Sequence, residues 1–362
     1  MSWVLAFLGF ALLIILHELG HFTAAKAVGM RVERFSLFFP PLLGRVKRGE
    51  TEYAVGAIPL GGYVKITGMN PAEEIPPEIA HRAYYRQPVW KRIVVIGAGP
   101  AVNIALALVL FVAYLLIWGT AVPSATNRVE ALAEGGAAAS VIQVGDRIVA
   151  VDGERGDPAA LKTQVATHTC AGQPVDRCRA TTPARVTIVR DGRERTVSIT
   201  PTYSAAERRP LLGFSYQVDR RFEPVDGLGD AVGTSLDQMW FLTHTTVDRI
   251  AGIFQAEKRK DISGVVGSYE ATRQAITLST DRAVFLLAVI SLSLGVINLF
   301  PFLPLDGGHI FWAVAEKVRG KAIPFAVMER AGFVGFALVI ALFMVGLTND
   351  IGRLTGDGIQ VR

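Results

Sequence analysis

Five consecutive residues, His17-Glu18-Leu19-Gly20-His21, place two imidazoles and a carboxylate at spacings a metal hydrolase needs. On a helix, positions i and i+4 differ by about 40° around the axis, so His17 and His21 face one point and can offer two nitrogens to one ion. Glu18 falls beside them, placed to take a proton from water. Zinc held by such a pair lowers the pKa of its water toward about 7 and polarises a peptide carbonyl, which are the two tasks of a peptide hydrolase. A third protein ligand is still required.

The surroundings of the motif decide how much weight it carries. Residues 1–25 contain no ionisable side chain besides His17, Glu18 and His21. The chain of 362 residues is 51% hydrophobic, and its mean hydropathy is +0.36, values of a membrane protein. A bilayer core about 30 Å thick takes roughly 20 apolar residues per helical crossing. Besides the N-terminal stretch, residues 93–118, 283–305 and 331–349 are free of charge and long enough. The first stretch has no basic leader and runs into the motif where a signal peptide would have a cleavage site, so it reads as a retained helix. Ionisable residues inside a membrane helix are costly to bury and mark function.

Among ionisable residues at the ends of the four crossings, Asp306 stands out as the third ligand, in Asn298-Leu-Phe-Pro-Phe-Leu-Pro-Leu-Asp-Gly-Gly-His309. Pro301 and Pro304 end the third helix and Gly307-Gly308 free the backbone, which puts Asp306 on an unwound segment able to approach a metal. His309 is a rival ligand or a neighbour of the site. The basic residues give the topology. Arg31, Arg34, Arg45, Lys47, Arg48, Lys65, Arg82, Arg86, Lys91 and Arg92 crowd the loop 29–92, and Lys317, Arg319, Lys321 and Arg330 the link after Asp306. Both loops are then cytoplasmic, with the termini and residues 120–281 outside. His17 lies about 24 Å along its helix, toward the cytoplasmic end, where the third crossing also finishes. The net charge of +5 belongs to these loops, so nucleic acid is not an expected partner and the lipid bilayer is.

The outer segment reads as a second domain. Val144-Gly-Asp-Arg-Ile-Val-Ala-Val-Asp-Gly153 is an alternating strand closed by a turn, and residues 185–199 form a hairpin around Asp191-Gly192. A short helix is expected over 157–167. Cys170 and Cys178 lie on the oxidising side, where a disulfide is expected, two free thiols being the alternative. Residues 225–256, with Val232, Leu236, Trp240, Leu242, Val247, Ile250 and Phe254, form an amphipathic helix that either returns to the membrane or covers the outer domain.

With these residues in view, the chain resembles the site-2 protease family of intramembrane zinc metalloproteases, in the bacterial branch that includes the regulator-of-sigma-E protease. The motif at 17–21 and the segment 298–309, with Leu305-Asp306-Gly307, carry the resemblance. Pro59-Leu-Gly-Gly-Tyr-Val-Lys65 is similar to the family's membrane-associated β-hairpin, and Gly99-Pro-Ala-Val-Asn103 to a motif of its second helix. The resemblance implies zinc bound by His17, His21 and Asp306, Glu18 as catalytic base, Asn298 holding substrate, and Gly61-Gly62 guiding substrate as an added strand. It also implies one PDZ-like outer domain and transmembrane substrates such as anti-sigma factors already trimmed outside.

The expected architecture is a polytopic α-helical protein of the cell membrane with four transmembrane helices and an inserted α+β PDZ-like extracytoplasmic domain. Its parts are a membrane half over 1–118, the PDZ-like domain over 125–203, an amphipathic linker over 204–281 and a second membrane half over 282–362. A silent membrane scaffold would have no need of Glu18. A zinc transporter would need neither that base nor an outer domain.

Overall fold

The computed structural model describes residues 2–70, 73–133, 136–252, 255 and 264–355. The chain divides into two compact units, one of residues 1–118 with 224–362, the other of residues 119–223.

In the first unit α1 (Ser2–Ala27) leads into a two-stranded antiparallel hairpin, β1 (Val32–Arg48) and β2 (Thr51–Ile66), followed by α2 (Val89–Ile117). After the second unit come α4 (Gly227–Ala251), α5 (Val265–Leu278), α6 (Thr280–Asn298), α7 (Asp306–Arg319) and α8 (Phe325–Thr355). Among the described residues four helices are long and apolar enough to cross a membrane: α1, α2, α6 and the Ala326–Gly352 part of α8. They fall on the four uncharged stretches of the sequence.

In lipid no hydrophobic force presses helices together, so small residues that let backbones approach set the contacts. Between α1 and α2, a Cβ on Gly20 would stand 2.6 Å from the Ala98 carbonyl oxygen. Between α2 and α6, a Cβ on Gly295 would stand 3.0 Å from the Pro100 oxygen, and the Ser291 hydroxyl donates to the Asn103 carbonyl at 2.8 Å.

The sequence extends the third crossing to residue 305 and leaves Asp306 on unwound backbone. The structure corrects both points. Helix α6 ends at Asn298, residues 299–305 reverse the chain, and Asp306 is the first residue of α7. Pro301 and Pro304 do break the helix, having no N–H to give. Gly307 and Gly308, however, are helical and buried, and side chains there would overlap the backbone of Leu299 and Leu303. They seat the first turn of α7 on the reversal.

Helix α4 accounts for most of the amphipathic segment expected over 225–256, and Phe254 lies outside the described residues. It packs on α2 and α6, with Met239 among Ala107, Phe111, Ala288 and Leu292, so part of its apolar face meets the membrane helices while Leu236, Trp240 and Val247 stay exposed.

The second unit is an antiparallel sheet in the order β10-β3-β4-β6-β7, made by β3 (Thr120–Leu132), β4 (Arg147–Val151), β6 (Ala184–Arg190), β7 (Arg193–Ile199) and β10 (Phe214–Glu223). The short pair β8 (Thr202–Ser204) and β9 (Arg209–Leu211) stands apart, and β5 (Glu154–Arg155) closes the turn after β4. Helix α3 (Pro158–Val165) packs on this sheet through Leu161 and Val165. Strand β6 alternates cleanly, with Ala184, Val186 and Ile188 in the core. Asp146 accepts from the Arg190 Nε at 2.8 Å and from the Gln143 amide at 2.8 Å, tying the turn before β4 to the end of β6. Cys170 and Cys178 are joined in a disulfide. The unit begins before residue 125 and runs past 203, because β10 pairs along β3 as far as Glu223 opposite Thr120. The expected linker over 204–281 therefore starts inside the sheet.

Candidate active site

One turn of α1 and the start of α7 bring together three atoms that could hold a metal ion. His17 Nε2 is 3.2 Å from His21 Nε2 and 3.2 Å from Asp306 Oδ2, and His21 Nε2 is 3.4 Å from the same oxygen. The two imidazoles are buried and meet edge to face, 84° apart. Asp306 Oδ2 is buried and receives no hydrogen bond, although two ring nitrogens stand near it. Three atoms able to serve as ligands therefore converge on one point. A tetrahedral zinc with bonds of about 2.0–2.2 Å separates its ligand atoms by about 3.3–3.5 Å, so the triangle fits that ion.

The far nitrogens of both rings turn to α2. His21 Nδ1 donates to the Val95 carbonyl at 2.9 Å, and His17 Nδ1 faces the Asn103 amide nitrogen at 3.2 Å. The ring of His21 lies so close to α2 that a Cβ on Gly99 would fall 2.6 Å from its Cε1 and closer still to Nε2. Arg92, at the start of α2, makes a two-pronged pair with Glu316 of α7 at 3.0 and 2.7 Å, which ties the helix carrying Asp306 to the one supporting the histidines.

Glu18 points elsewhere. With His17 it lines a cavity of about 580 Å³, walled also by Phe10 and Ile14 of α1, Gly61 and Gly62 of β2, Tyr269 of α5, and Leu294 and Asn298 of α6. A Cβ on Gly62 would come 2.8 Å from Glu18 Cγ, so the glycine makes room for that carboxylate. Gly61 packs on the Phe39 ring. Asn298 faces the cavity while its amide donates to the Leu294 carbonyl at 3.0 Å. A second, more open groove of about 510 Å³ between α4 and α6 has no ionisable residue in its lining and so no chemistry to offer.

His309 does not join the ligand group, which among the described residues consists of His17, His21 and Asp306. It lines a narrow cleft with Tyr84, Tyr85, Arg92, Trp312 and Glu316. Sequence reasoning missed Val95 and the Arg92–Glu316 pair, and it singled out Gly99-Pro-Ala-Val-Asn103 as a motif without giving Gly99 or Asn103 a part in the site. The sequence signal that was there is the run of small and polar residues on an otherwise apolar helix.

The profile of peptidase family M50 matches residues 5–342. The chain belongs to that family. Zinc metalloprotease Rip1 of Mycolicibacterium smegmatis is 34% identical over 387 residues, covering 94% of this chain and 92% of its own. Zinc metalloprotease Rip1 of Mycobacterium tuberculosis is 31% identical over 400 residues, covering 97% and 98%. Family and ligand set agree: this M50 peptidase is a zinc metalloprotease, and its apolar helices make it a multi-pass membrane protein.

Proposed function

We propose that this M50 peptidase hydrolyses peptide bonds of transmembrane substrates within the membrane, with His17, His21 and Asp306 as zinc ligands and Glu18 as general base. The observation that carries the reading is the triangle of two ring nitrogens and a carboxylate oxygen at 3.2–3.4 Å beside a cavity that also holds a carboxylate. When bound, zinc supplies Lewis-acid polarisation of a carbonyl and acidifies a water. Glu18 removes a proton from the attacking water and hands it to the departing amide nitrogen. The cavity wall around these groups is mostly aliphatic and aromatic.

A membrane helix hides its carbonyls in its own hydrogen bonds and must unwind before it can be cut. Strand β2 offers backbone to hold such a segment as an added strand, with Gly61 and Gly62 free of side chains where it would lie and Asn298 contributing an amide. The arginine-rich loop around the hairpin argues for a site toward the cytoplasmic side, with both termini and the sheet unit outside. On the pattern of the resembling family, the sheet unit is PDZ-like and the substrates are membrane proteins such as trimmed anti-sigma factors.

The test is incubation of the purified protein with a synthetic transmembrane peptide, with zinc content measured alongside. Glu18→Gln should keep its zinc and lose at least about 100-fold in cleavage rate, the scale of a lost general base. Asp306→Ala should lose both zinc and cleavage. Near-normal cleavage by Glu18→Gln, or full zinc in Asp306→Ala, sinks the assignment.

A further inference from the structure

We infer that the side-chain amide of Asn103 fixes the metal-binding tautomer of His17, acting as a positioning residue through the ring and not on substrate. The inference rests on the reading of His17 as a zinc ligand.

A neutral imidazole gives Nε2 to a metal only when that nitrogen is bare, which puts the ring proton on Nδ1. His17 is buried, so a proton on Nδ1 needs an acceptor inside the protein. The group facing Nδ1 is Asn103, itself wholly buried, with Nδ2 at 3.2 Å. Its other end, Oδ1, is buried without a hydrogen bond. The two ends of a carboxamide exchange by a half-turn of its terminal torsion, and their assignment follows from the hydrogen bonds they make. With Oδ1 turned to Nδ1, one hydrogen bond satisfies both the ring N–H and the orphaned oxygen. With NH2 turned to Nδ1 the ring proton sits on Nε2, where it meets Asp306 Oδ2 at 3.2 Å and closes the nitrogen to a metal. Asn103 is thus suited to both states of His17, whereas the Val95 carbonyl facing His21 can only accept.

Behind Asn103, backbone contacts pack α2 on α6. The Asn103 backbone carbonyl takes the Ser291 hydroxyl at 2.8 Å, and Gly295 brings α6 against the Asn103 Cβ. Partners that orient a metal-bound histidine are worth about 10–100-fold in metal affinity.

Zinc affinity is measured on the full chain in detergent by competition with a chelator, together with the visible spectrum of the cobalt-loaded protein and the thermal unfolding midpoint. Asn103→Leu, of similar volume but without an acceptor, should bind zinc about 10–100-fold more weakly and alter the cobalt spectrum. Asn103→Ala supplies the same deletion should leucine unfold the chain. Asn103→Asp, which accepts from Nδ1–H, should stay within about threefold of the parent chain. Ser291→Ala, which loosens the α2–α6 contact without touching the amide, should lower the midpoint and leave zinc affinity within the same range. The inference is overturned if both Leu and Ala variants bind zinc like the parent, if Asp is as weak as Leu, or if Ser291→Ala weakens zinc as much as Asn103→Leu. Loss of zinc binding in His17→Ala is the check on the underlying reading. If that variant binds zinc normally, the ligand assignment fails and takes this inference with it.

Discussion

A single added methyl group at Gly99 should disable the metal site. The Cβ of Gly99→Ala would fall 2.6 Å from Cε1 and 2.9 Å from Cδ2 of His21, while ordinary contact begins near 3.4 Å. The ring must therefore retreat by at least about 0.8 Å, and a metal site tolerates about 0.2 Å in ligand distance. The ring cannot slide along α2 without giving up its 2.9 Å bond to Val95, and α1 cannot move off without opening the Gly20–Ala98 contact. Losing one of the three proposed ligands should weaken zinc by more than about 100-fold, beyond what loss of an orienting partner costs. The assay is zinc retention after dialysis against graded chelator, with Gly97→Ala as control. A Cβ at Gly97, two residues earlier on the same helix, meets only Ile310 Cδ1 at 3.9 Å, so that variant should keep parental affinity. Parental zinc affinity in Gly99→Ala would refute the claim that the α1–α2 distance sets the ligand geometry.

Other perturbations separate the remaining parts. Gly62→Ala pushes on Glu18 Cγ from 2.8 Å and on the Ser36 oxygen from 2.9 Å, so cleavage should fall at least about tenfold with zinc content unchanged; coupled loss of zinc would contradict it. Glu50, outside the membrane helices, is held at a pKa of about 2 by Arg82 first and Lys26 second. Its folded pKa is depressed, so its contribution is present above about pH 4.5 and lost as pH falls toward 2, amounting to about 1 kcal/mol once partial exposure is discounted. The unfolding midpoints of the parent and Glu50→Gln should therefore converge at acid pH, and a gap independent of pH would be the wrong result. Excising residues 120–223 removes a unit whose end residues pair with each other, so zinc binding should survive. If the unit filters substrates, the excised protein should cut untrimmed transmembrane proteins that the full chain rejects; continued rejection counts against the filter.

What could be seen in the sequence was whatever is local. The histidines announce themselves by a four-residue spacing on an uncharged helix, and Asp306 by its place at the end of a crossing. The supports are different in kind. Val95 acts through a backbone carbonyl, which leaves no mark in its side chain, and its partner His21 is 74 residues away. Arg92 reads as one basic loop residue among ten, and only the fold shows Glu316, 224 residues on, across from it. Strand β10 leaves no local mark for the same reason, since the edge it completes belongs to β3, some 90 residues earlier. Gly307 and Gly308 are visible in the sequence but point the wrong way. Glycine suggests loosened backbone, yet here it serves close packing inside the first turn of a helix.

The same principle runs through the whole membrane unit and explains why the site sits where it does. Lipid rewards apolar surface on a helix no less than a protein neighbour does, so three helices are positioned by contacts only small residues permit. Gly20 sets α1 against α2, Gly99 admits the His21 ring, and Gly295 sets α6 against Pro100 and Asn103. Helix α7 is then carried to α1 by the turn that follows α6 and held by Arg92 through Glu316. One route from Asp306 back to the histidines therefore passes through α2, which offers none of the three proposed ligand atoms, and another runs from α6 to α1 through α5 and the Leu287–Gly9 contact. Substitutions that enlarge the inward face of α2 should misplace ligands on two other helices at once, while those on its lipid face, such as Val109, have no route to the metal.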